Sequence, residues 1–575
     1  MSGTRVADVL VETLIAAGIP RIYGVAGDSL NGVTDAIRTR PQLAWIHTRH
    51  EESAAFAAAA EAQLRGRLAA CAGSCGPGNL HLINGLFDAH RSRAPVLALA
   101  SQIPSREVGS GYFQETHPER LFRDCSHFCE VATEAEQIPG LVESAIRTAV
   151  AREGVAVVVI SGDVLLREAV EAARPLPLPS APSAVVPPSA ELEALANRLN
   201  AAPSVTILAG IGAASAREEL FAVADRLRAP IVHTLRGKEA LEHDNPFDVG
   251  MTGLLGFASG YRAMEAADTV LLLGTDFPYR QFYPSRAHLL QVDLRGEQIG
   301  RRAAVELGVV GDVRSTLAAL LPRLAARTDS AHLEGARADY QKARRGLDEL
   351  AADPAPGGKI HPQYVVRLLD ELAGPDAIFA CDVGTPTVWA ARYLHLTGRR
   401  RLLGSFVHGS MANALPQAIG AQLSAPDRPV ITLSGDGGLA MLLGDLLTLR
   451  QHALPVKVVV FRNDSLGFVT LEMQAAGLLD FATSLTNPDF AGIARAAGML
   501  GLAAHTPEEV RPMLAQALAH PGPALVEVTV DREELVVPPK IRAEMVKGFG
   551  LFVLKAVLSG RGAEVEELAR ANWFR

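Results

Sequence analysis

Residues 434–438 read Ser-Gly-Asp-Gly-Gly and directly follow the apolar run Val430-Ile431-Thr432-Leu433. Residues 457–461, Lys-Val-Val-Val-Phe, lead in the same way into Arg462-Asn463-Asp464-Ser465. Asp436 and Asn463 stand 27 positions apart. One strand-helix-strand crossover of that length brings both turns to the carboxyl edge of a parallel sheet, where ligands bind. A carboxylate, a side-chain amide oxygen and a nearby backbone carbonyl are hard oxygen ligands that suit Mg²⁺ and leave positions open for phosphate oxygens. Glycines at 437 and 438 let a diphosphate approach the N–H groups of a helix start. A Gly-Asp-Gly triplet alone is more often an ordinary turn; the paired strands and their spacing give this one weight.

A second group that could move a proton lies far upstream. Thr48-Arg49-His50-Glu51-Glu52 precedes a nearly all-apolar helical stretch, residues 53–60. A carboxyl group where a helix dips into the core is desolvated, which favours the neutral acid and suits proton exchange with a weakly basic ring nitrogen. The plainer alternative is a helix-start acid stabilised by the dipole. In the middle of the chain, residues 205–208 lead into Gly210-Ile211-Gly212-Ala213, a partial phosphate loop, and 269–273 lead into Gly274-Thr275-Asp276-Phe277. Residues 289–292 end at Asp293, an acid at a strand end that suits a ribose hydroxyl.

These turns need strands to hold them. Apolar runs of about five residues recur at 21–25, 96–100, 155–160, 205–208, 269–273, 430–433 and 457–461, rich in Val, Ile and Leu and without polar alternation. Parallel strands covered by helices on both faces have this composition. The fold class is therefore α/β, with three doubly wound parallel-sheet domains. Pro-rich stretches at 174–190 and 352–364 read as extended connectors. The expected boundaries are 1–182, 183–335, 336–531 and a C-terminal segment, 532–575.

The chain has 575 residues, 48% hydrophobic and 21% charged, which excludes wholesale disorder. A net charge of −8 gives no electrostatic reason to expect a nucleic-acid partner. Asp8 and Glu12 weigh against a cleavable signal, and no uncharged apolar run reaches the roughly 18 residues that span a bilayer. A cytoplasmic protein is expected. The five cysteines read as reduced thiols. The pairs Cys71/Cys75 and Cys125/Cys129, the latter with His127, read better as buried apolar residues than as zinc ligands.

The C-terminal segment differs in character. Residues 534–575 carry seven Lys or Arg and five Glu, net +2. Ile541, Met545, Phe549, Phe552, Val553 and Ala556 repeat at helical spacing, and after Ser559-Gly560 come Val565, Leu568, Ala569 and Trp573 beside Phe574. Two amphipathic helices with an aromatic end are expected. By default such a stripe packs against its own subunit or a neighbour.

Collinear runs carry a family resemblance from end to end: GVAGDSLNG (24–32), TRHEE (48–52), CAGSCGPGNLHLINGLFDAHR (71–91), GSGYFQETHPE (109–119), RGKE (236–239), VGMTGLLGF (249–257), LLGTDFPYR (272–280), CDVGTPTVWAARY (381–393), GSFVHGSMANALPQAIGAQ (404–422), the Gly-Asp-Gly block and LGFV (466–469). The chain resembles the thiamine diphosphate enzymes of the pyruvate oxidase and acetolactate synthase group, most closely the quinone-reducing flavoproteins among them. The resemblance implies a pyrimidine-binding, an FAD-binding and a diphosphate-binding domain in that order. It implies that Glu51 is the acid at N1′ of the aminopyrimidine, and that Met411, in a turn with Gly409 and Ser410, is the apolar wedge that bends the cofactor. Asp436 and Asn463 are implied as Mg²⁺ ligands with the Ser465 carbonyl, and Gly437 and Gly438 as neighbours of the diphosphate. Phe113 and Phe468 are implied to border a water-poor reacting centre. FAD is implied along Thr252, Gly253, Leu254 and Leu255, along Thr275, Asp276, Phe277, Pro278 and Tyr279, and at Asp293. The family usually has two consecutive Asn at the metal turn, so Arg462 puts the local geometry in question.

The reaction so implied is oxidative decarboxylation of pyruvate to acetate and CO₂ through an enamine on thiamine diphosphate, with electrons passed through FAD to ubiquinone. Membrane lipid would bind the C-terminal tail, placing the enzyme peripherally on the cytoplasmic face of the membrane. A homo-oligomer, expected to be a tetramer, would hold the cofactor between the first unit of one subunit and the third of another. The alternatives are an acetolactate synthase-type carboligase, an O₂-dependent pyruvate oxidase, and a catalytically silent membrane-associated scaffold.

Overall fold

The apolar runs form strands because helices on both sides leave neither face of the sheets to water. The computed structural model describes residues 4–170, 172–173, 176, 184–534, 543–559 and 561–573. Its first sheet holds β1 (Arg21–Gly24), β2 (Ala44–His47), β3 (Ala69–Gly73), β4 (Val96–Gln102), β5 (Phe128–Ala132) and β6 (Val155–Ser161). The second holds β7 (Val205–Ala209), β8 (Ile231–His233), β9 (Asp248–Met251), β10 (Thr269–Leu273), β11 (His288–Asp293) and β12 (Leu307–Val310). The third holds β13 (Ile378–Cys381), β14 (Arg401–Gly404), β15 (Val430–Gly435), β16 (Lys457–Arg462), β17 (Leu500–Ala504) and β18 (Ala524–Thr529). The strand pairings in all three sheets are parallel.

The first sheet runs β2-β1-β3-β4-β6-β5 and the third β14-β13-β15-β16-β18-β17, the same order twice. The second runs β12-β11-β10-β7-β8-β9, the doubly wound dinucleotide-binding order, whose switch point lies between β7 and β10. In the first and third sheets the switch falls between β1 and β3 and between β13 and β15.

Eight helices matter for the site: α1 (Glu51–Arg65), α2 (Pro77–Arg91), α3 (Ala331–Leu350), α4 (Ala414–Ser424), α5 (Asp436–Met441), α6 (Gly467–Ala475), α7 (Ala543–Leu558) and α8 (Gly562–Trp573). α1 starts where the His50 ring accepts the Glu52 N–H at 3.2 Å and stops at Gly66, whose φ of 60° is left-handed. Between those ends Ala54, Ala55, Ala57, Ala58, Ala59, Ala60 and Ala62 are all buried. Their small side chains let α1 lie directly along α4, where a Cβ at Gly420 would run into the Ala57 carbonyl oxygen. The two outer units of the chain are joined at this seam. α3 runs through the expected 335/336 boundary and packs against β9 of the second unit. Cys71, Cys75, Cys125 and Cys381 are buried free thiols, and burial pushes Cys125 up to about 12.

The tail folds back onto the third unit. Phe552 and Ala556 of α7 and Leu568 of α8 are buried together against Leu479, each large side chain contributing about 1.5–3 kcal/mol. Gly548 lies so near the Ala475 carbonyl that a Cβ would overlap it. Lys555 Nζ donates to the Gly477 carbonyl at 2.7 Å, and Arg561 pairs with Asp480. The expected stripe thus packs against its own subunit. Ile541 and Phe574 lie outside the described residues. A second apolar face of α7, formed by Val546, Leu551, Leu554, Val557 and Leu558, stays exposed.

Candidate active site

Asp436 opens α5 directly after β15, and the crossover to β16 brings Asn463 to it. Asp436 Oδ2 accepts the backbone N–H of Asn463 at 3.1 Å and of Asp464 at 2.7 Å. The same oxygen accepts Nδ2 of Asn487 at 2.9 Å, while Oδ1 accepts the Gly437 N–H at 2.8 Å. Burial pushes the Asp436 carboxyl up, those N–H bonds oppose it, and the charge of Asp464 adds to the rise. A cation would relieve both unfavourable influences. Asn463 Oδ1 accepts the Ser465 N–H at 3.1 Å, and Ser465 is buried. The turn is pinned to the chain opposite: Leu466 N–H donates to the Thr483 carbonyl at 2.8 Å and Leu485 N–H to the Asp464 carbonyl at 2.9 Å. Asp464 itself has a left-handed φ of 51°, at a cost of roughly 1–2 kcal/mol. Arg462 donates to Asp464 Oδ1 at 3.0 Å and to the buried Glu527 carboxylate at 2.6 Å, so its charge is engaged by these two acids.

Met411 sits in a turn between two left-handed residues, Gly409 (φ 83°) and Ala412 (φ 65°). Its methyl group lies 3.6 Å from where a Cβ on Gly437 would stand. On the other side of α5, a Cβ on Gly438 would come within 2.5 Å of Asp382 Oδ2. Asp382 directly follows β13 at the switch point, lies inside the protein, and accepts the Ala414 N–H at 3.1 Å. Burial pushes its acid up to about 7, against the bonds from the Ala414, Asn413 and Ala412 N–H groups. The Met411 turn and the start of α5 are therefore held against one another.

Glu51 is buried at the start of α1. Its Oε2 lies 2.9 Å from His81 Nδ1, and the His81 ring stacks on His50 with centroids 4.3 Å apart. A Cβ on Gly78 would stand 3.0 Å from Glu51 Oε1, so glycine keeps that side of the carboxylate open. Asn84, on α2, links the first and third units within one chain. Its Nδ2 donates to Glu52 Oε1 and to Ser410 Oγ, both at 2.7 Å, and its Oδ1 lies 2.8 Å from His408 Nε2. Phe113 is 78% exposed on the loop after β4, whereas Phe468, on α6, packs against the third unit's core. No ring contact between them occurs among the described residues. A pocket beside Asn463 is lined by Thr385, Trp389, Gly467, Gln474 and Leu568 of the tail.

In the second unit, Gly210 and Gly212 meet Gly274 at the switch point, where Cβ atoms would come within 2.5 Å and 2.8 Å of its backbone. Thr252 is buried with its hydroxyl unpartnered. Gly253 (φ 99°) leaves room for the Phe277 ring. Leu254 and Leu255 are half-buried, Thr275 is buried, and Pro278 and Tyr279 are exposed. Asp276 pairs with Arg302 at 2.7 Å. Asp293 is buried, which pushes its carboxyl up, and its Oδ1 accepts the Arg295 N–H at 3.0 Å. Two further groups face this region: burial lowers the guanidinium pKa of Arg93 and of Arg236, the charge of Arg295 lowers Arg93 further, and that of Arg93 lowers Arg236. The charges of Asp293, Glu153 and Asp276 oppose the fall at Arg93, and those of Asp88 and Glu153 oppose it at Arg236.

Three family models cover most of the chain: the N-terminal thiamine pyrophosphate-binding domain matches residues 4–121, the central domain 192–320 and the C-terminal thiamine pyrophosphate-binding domain 382–528. A putative thiamine pyrophosphate-containing protein of Bacillus subtilis is 36% identical over 577 residues, 99% of each chain. The chain belongs to the thiamine pyrophosphate enzyme family. Among other members, a pyruvate oxidase of Lactiplantibacillus plantarum is 31% identical over 547 residues, 93% of this chain and 90% of that one. An acetolactate synthase of Zea mays is 30% identical over 555 residues, 92% and 86% of the two chains.

The residues present fit what a thiamine pyrophosphate enzyme must hold. Asp436 at the start of α5 and Asn463 on the turn bonded to it offer oxygen donors of the kind that suits Mg²⁺ beside a diphosphate. The unpartnered Thr252 hydroxyl and the close glycines 210, 212 and 274 at the switch point suit a dinucleotide in the second unit. Asn487, Asp464, Asn84 and Asp382 escaped the sequence reading. Asp382 carried one usable signal, an acid at the end of an apolar run; Asn487 carried none.

Proposed function

We propose that this thiamine pyrophosphate enzyme oxidatively decarboxylates pyruvate to acetate and CO₂, using Mg²⁺ and FAD, and passes the electrons to ubiquinone at a membrane surface. Pyruvate is supported by the name of the L. plantarum relative. The quinone rests on α7: one apolar face packs on α6 while the other, ending in Leu558 at 77% exposure, lies open to solvent. An apolar helix face with basic neighbours suits the boundary of a lipid layer, where quinones dissolve. No helix among the described residues is long and apolar enough to cross a membrane, so the contact in this reading is peripheral.

Thiamine pyrophosphate supplies the electron sink for a departing carboxylate. In this reading Asp436, Asn463 and the Ser465 carbonyl hold Mg²⁺, and Gly437 and Gly438 admit the diphosphate to the N–H groups of α5. Glu51 holds a proton at the aminopyrimidine, with His81 fixing the direction of its carboxyl group. Met411 props the cofactor from below. Phe468 keeps water from the reacting centre, and Phe113 does so at a subunit boundary, which its exposure in a single chain supports. That role calls for a homo-oligomer, which we assign as a tetramer. FAD lies along 252–255, 275–279 and Asp293.

Anaerobic mixing with pyruvate tests the reaction. Bleaching of the flavin, reversed by ubiquinone in liposomes, is the expected result. Leu554→Glu with Leu558→Glu should abolish liposome binding and quinone reduction and leave bleaching intact. Acetolactate without bleaching would establish the carboligase instead, the reading that the maize relative favours. Reoxidation by O₂ that liposomes do not affect would establish an oxygen-using oxidase.

A further inference from the structure

In the first and third units, equal strand order puts α1 after β2 and α4 after β14 in equivalent places. α2 after β3 likewise corresponds to the segment after β15. From each of these latter two segments a buried carboxylate crosses to the other unit. Asp88, on α2, is fully buried; its Oδ1 accepts the Ser405 hydroxyl at 2.7 Å and its Oδ2 accepts Gln417 Nε2 at 3.4 Å. Ser405 Oγ in turn accepts the N–H groups of Gly409 at 3.1 Å and Ser410 at 3.0 Å. Those amides open the turn that presents Met411.

Asp445, in the third unit beyond α5, is the counterpart. Its Oδ1 accepts the Arg49 N–H at 3.0 Å and the Thr448 hydroxyl at 2.7 Å, and its Oδ2 accepts the Ser53 hydroxyl at 2.5 Å. Arg49 and Ser53 bracket Glu51. Two carboxylates are a costly way to join two units, since apolar residues of similar size would do it as well or better. What a carboxylate adds is direction, through short charge-assisted bonds to chosen N–H and O–H groups. Both direct those bonds at the segment carrying the other unit's working residue.

We propose that Asp88 and Asp445 are reciprocal positioning residues, Asp88 fixing the turn that presents Met411 and Asp445 the helix start that presents Glu51. This rests on the roles given above to Met411 and Glu51. Each unit thereby sets the aim of the other's working residue, whichever subunit completes the site.

The test uses the full chain, first without cofactor. In Asp88→Ala, amide hydrogen exchange at Gly409 and Ser410 should quicken by about tenfold or more while residues 49–53 keep their protection; Asp445→Ala should do the reverse. Asp88→Asn and Asp445→Asn, which keep an acceptor oxygen, should restore most of the protection. Ser405→Ala and Ser53→Ala should reproduce the two alanine variants and guard against a fold lost through an emptied carboxylate site. With cofactor added, proton exchange at C2 of its thiazolium should slow by roughly tenfold to a hundredfold, with affinity for the cofactor changed by less than about threefold because Asp436 and Asn463 are untouched. Unchanged protection at 409–410 in Asp88→Ala, or equal loosening of both segments with a matching loss of affinity, would overturn the proposal. Met411→Ala separates the two ideas. If it leaves C2 exchange at the wild-type rate while Asp88→Ala loosens the turn, the role given to Met411 fails and the positioning stands.

Discussion

The first and third units share one strand order and divide the work. At equivalent strand ends the first places a buried carboxyl group, Glu51, against His81, and the third places a turn with two left-handed residues around Met411. The helix after the third strand begins with Gly76-Pro77-Gly78 in one unit and with the acid Asp436 in the other. A duplicated scaffold thus yields two half-sites of unlike chemistry, and the unlikeness lives in the turns. The second unit, with a different strand order, brings Gly210, Gly212 and Gly274 together at its switch point.

This division can be broken most directly at Glu51. Glu51→Gln should lower turnover by about 10²- to 10⁴-fold with flavin content unchanged, measured by steady-state assay and flavin absorbance; turnover within tenfold of wild type would end the assignment. Asp436→Ala should weaken Mg²⁺-dependent cofactor binding by at least about tenfold, read by calorimetric titration. Saturating cofactor should recover part of its turnover and none of that of Glu51→Gln, since only the third unit's loss is one of binding. Ala412→Gly relieves a left-handed alanine and should stabilise the protein by about 1 kcal/mol in denaturant titration while slowing C2 exchange, which would place useful strain on the third unit's side.

The smallest effect is one of pH. Burial pushes the Asp88 acid up to about 6, against its bonds and the charge of Arg236. Between pH ~4 and ~6 the folded protein therefore holds a proton that the unfolded chain has released, so this group's contribution to stability falls as pH rises through that window and is level above it. Asp88→Asn should remove that slope, worth at most roughly 2–3 kcal/mol. Its thermal midpoint relative to wild type should accordingly be higher at pH 7 than at pH 4.5. An equal difference at both values would show that Asp88 titrates normally.

The sheets were legible because strands covered on both faces are written as unbroken Val and Ile runs, as in the fully buried 155–161 segment. Asp436 and Asn463 were legible because their separation is a local property of one crossover. The seam was not. Asp88 meets Ser405 across 317 positions and Asp445 meets Ser53 across 392, and no periodicity records such a pairing. Arg462 reads in the sequence as a disturbance of its turn, yet Glu527, on the neighbouring β18, engages its charge. The spacing on α7 revealed one apolar face and hid the second, because a stripe marks what packs and says nothing of apolar residues left outside it.

Consider finally the contact between Gly420 and Ala57. At that point the permitted alphabet is close to two letters, since any larger residue would wedge the first and third units apart. The placement of the first unit against the third is set along this seam. Redesign of this enzyme has its latitude at the rim and almost none along α1 and α4.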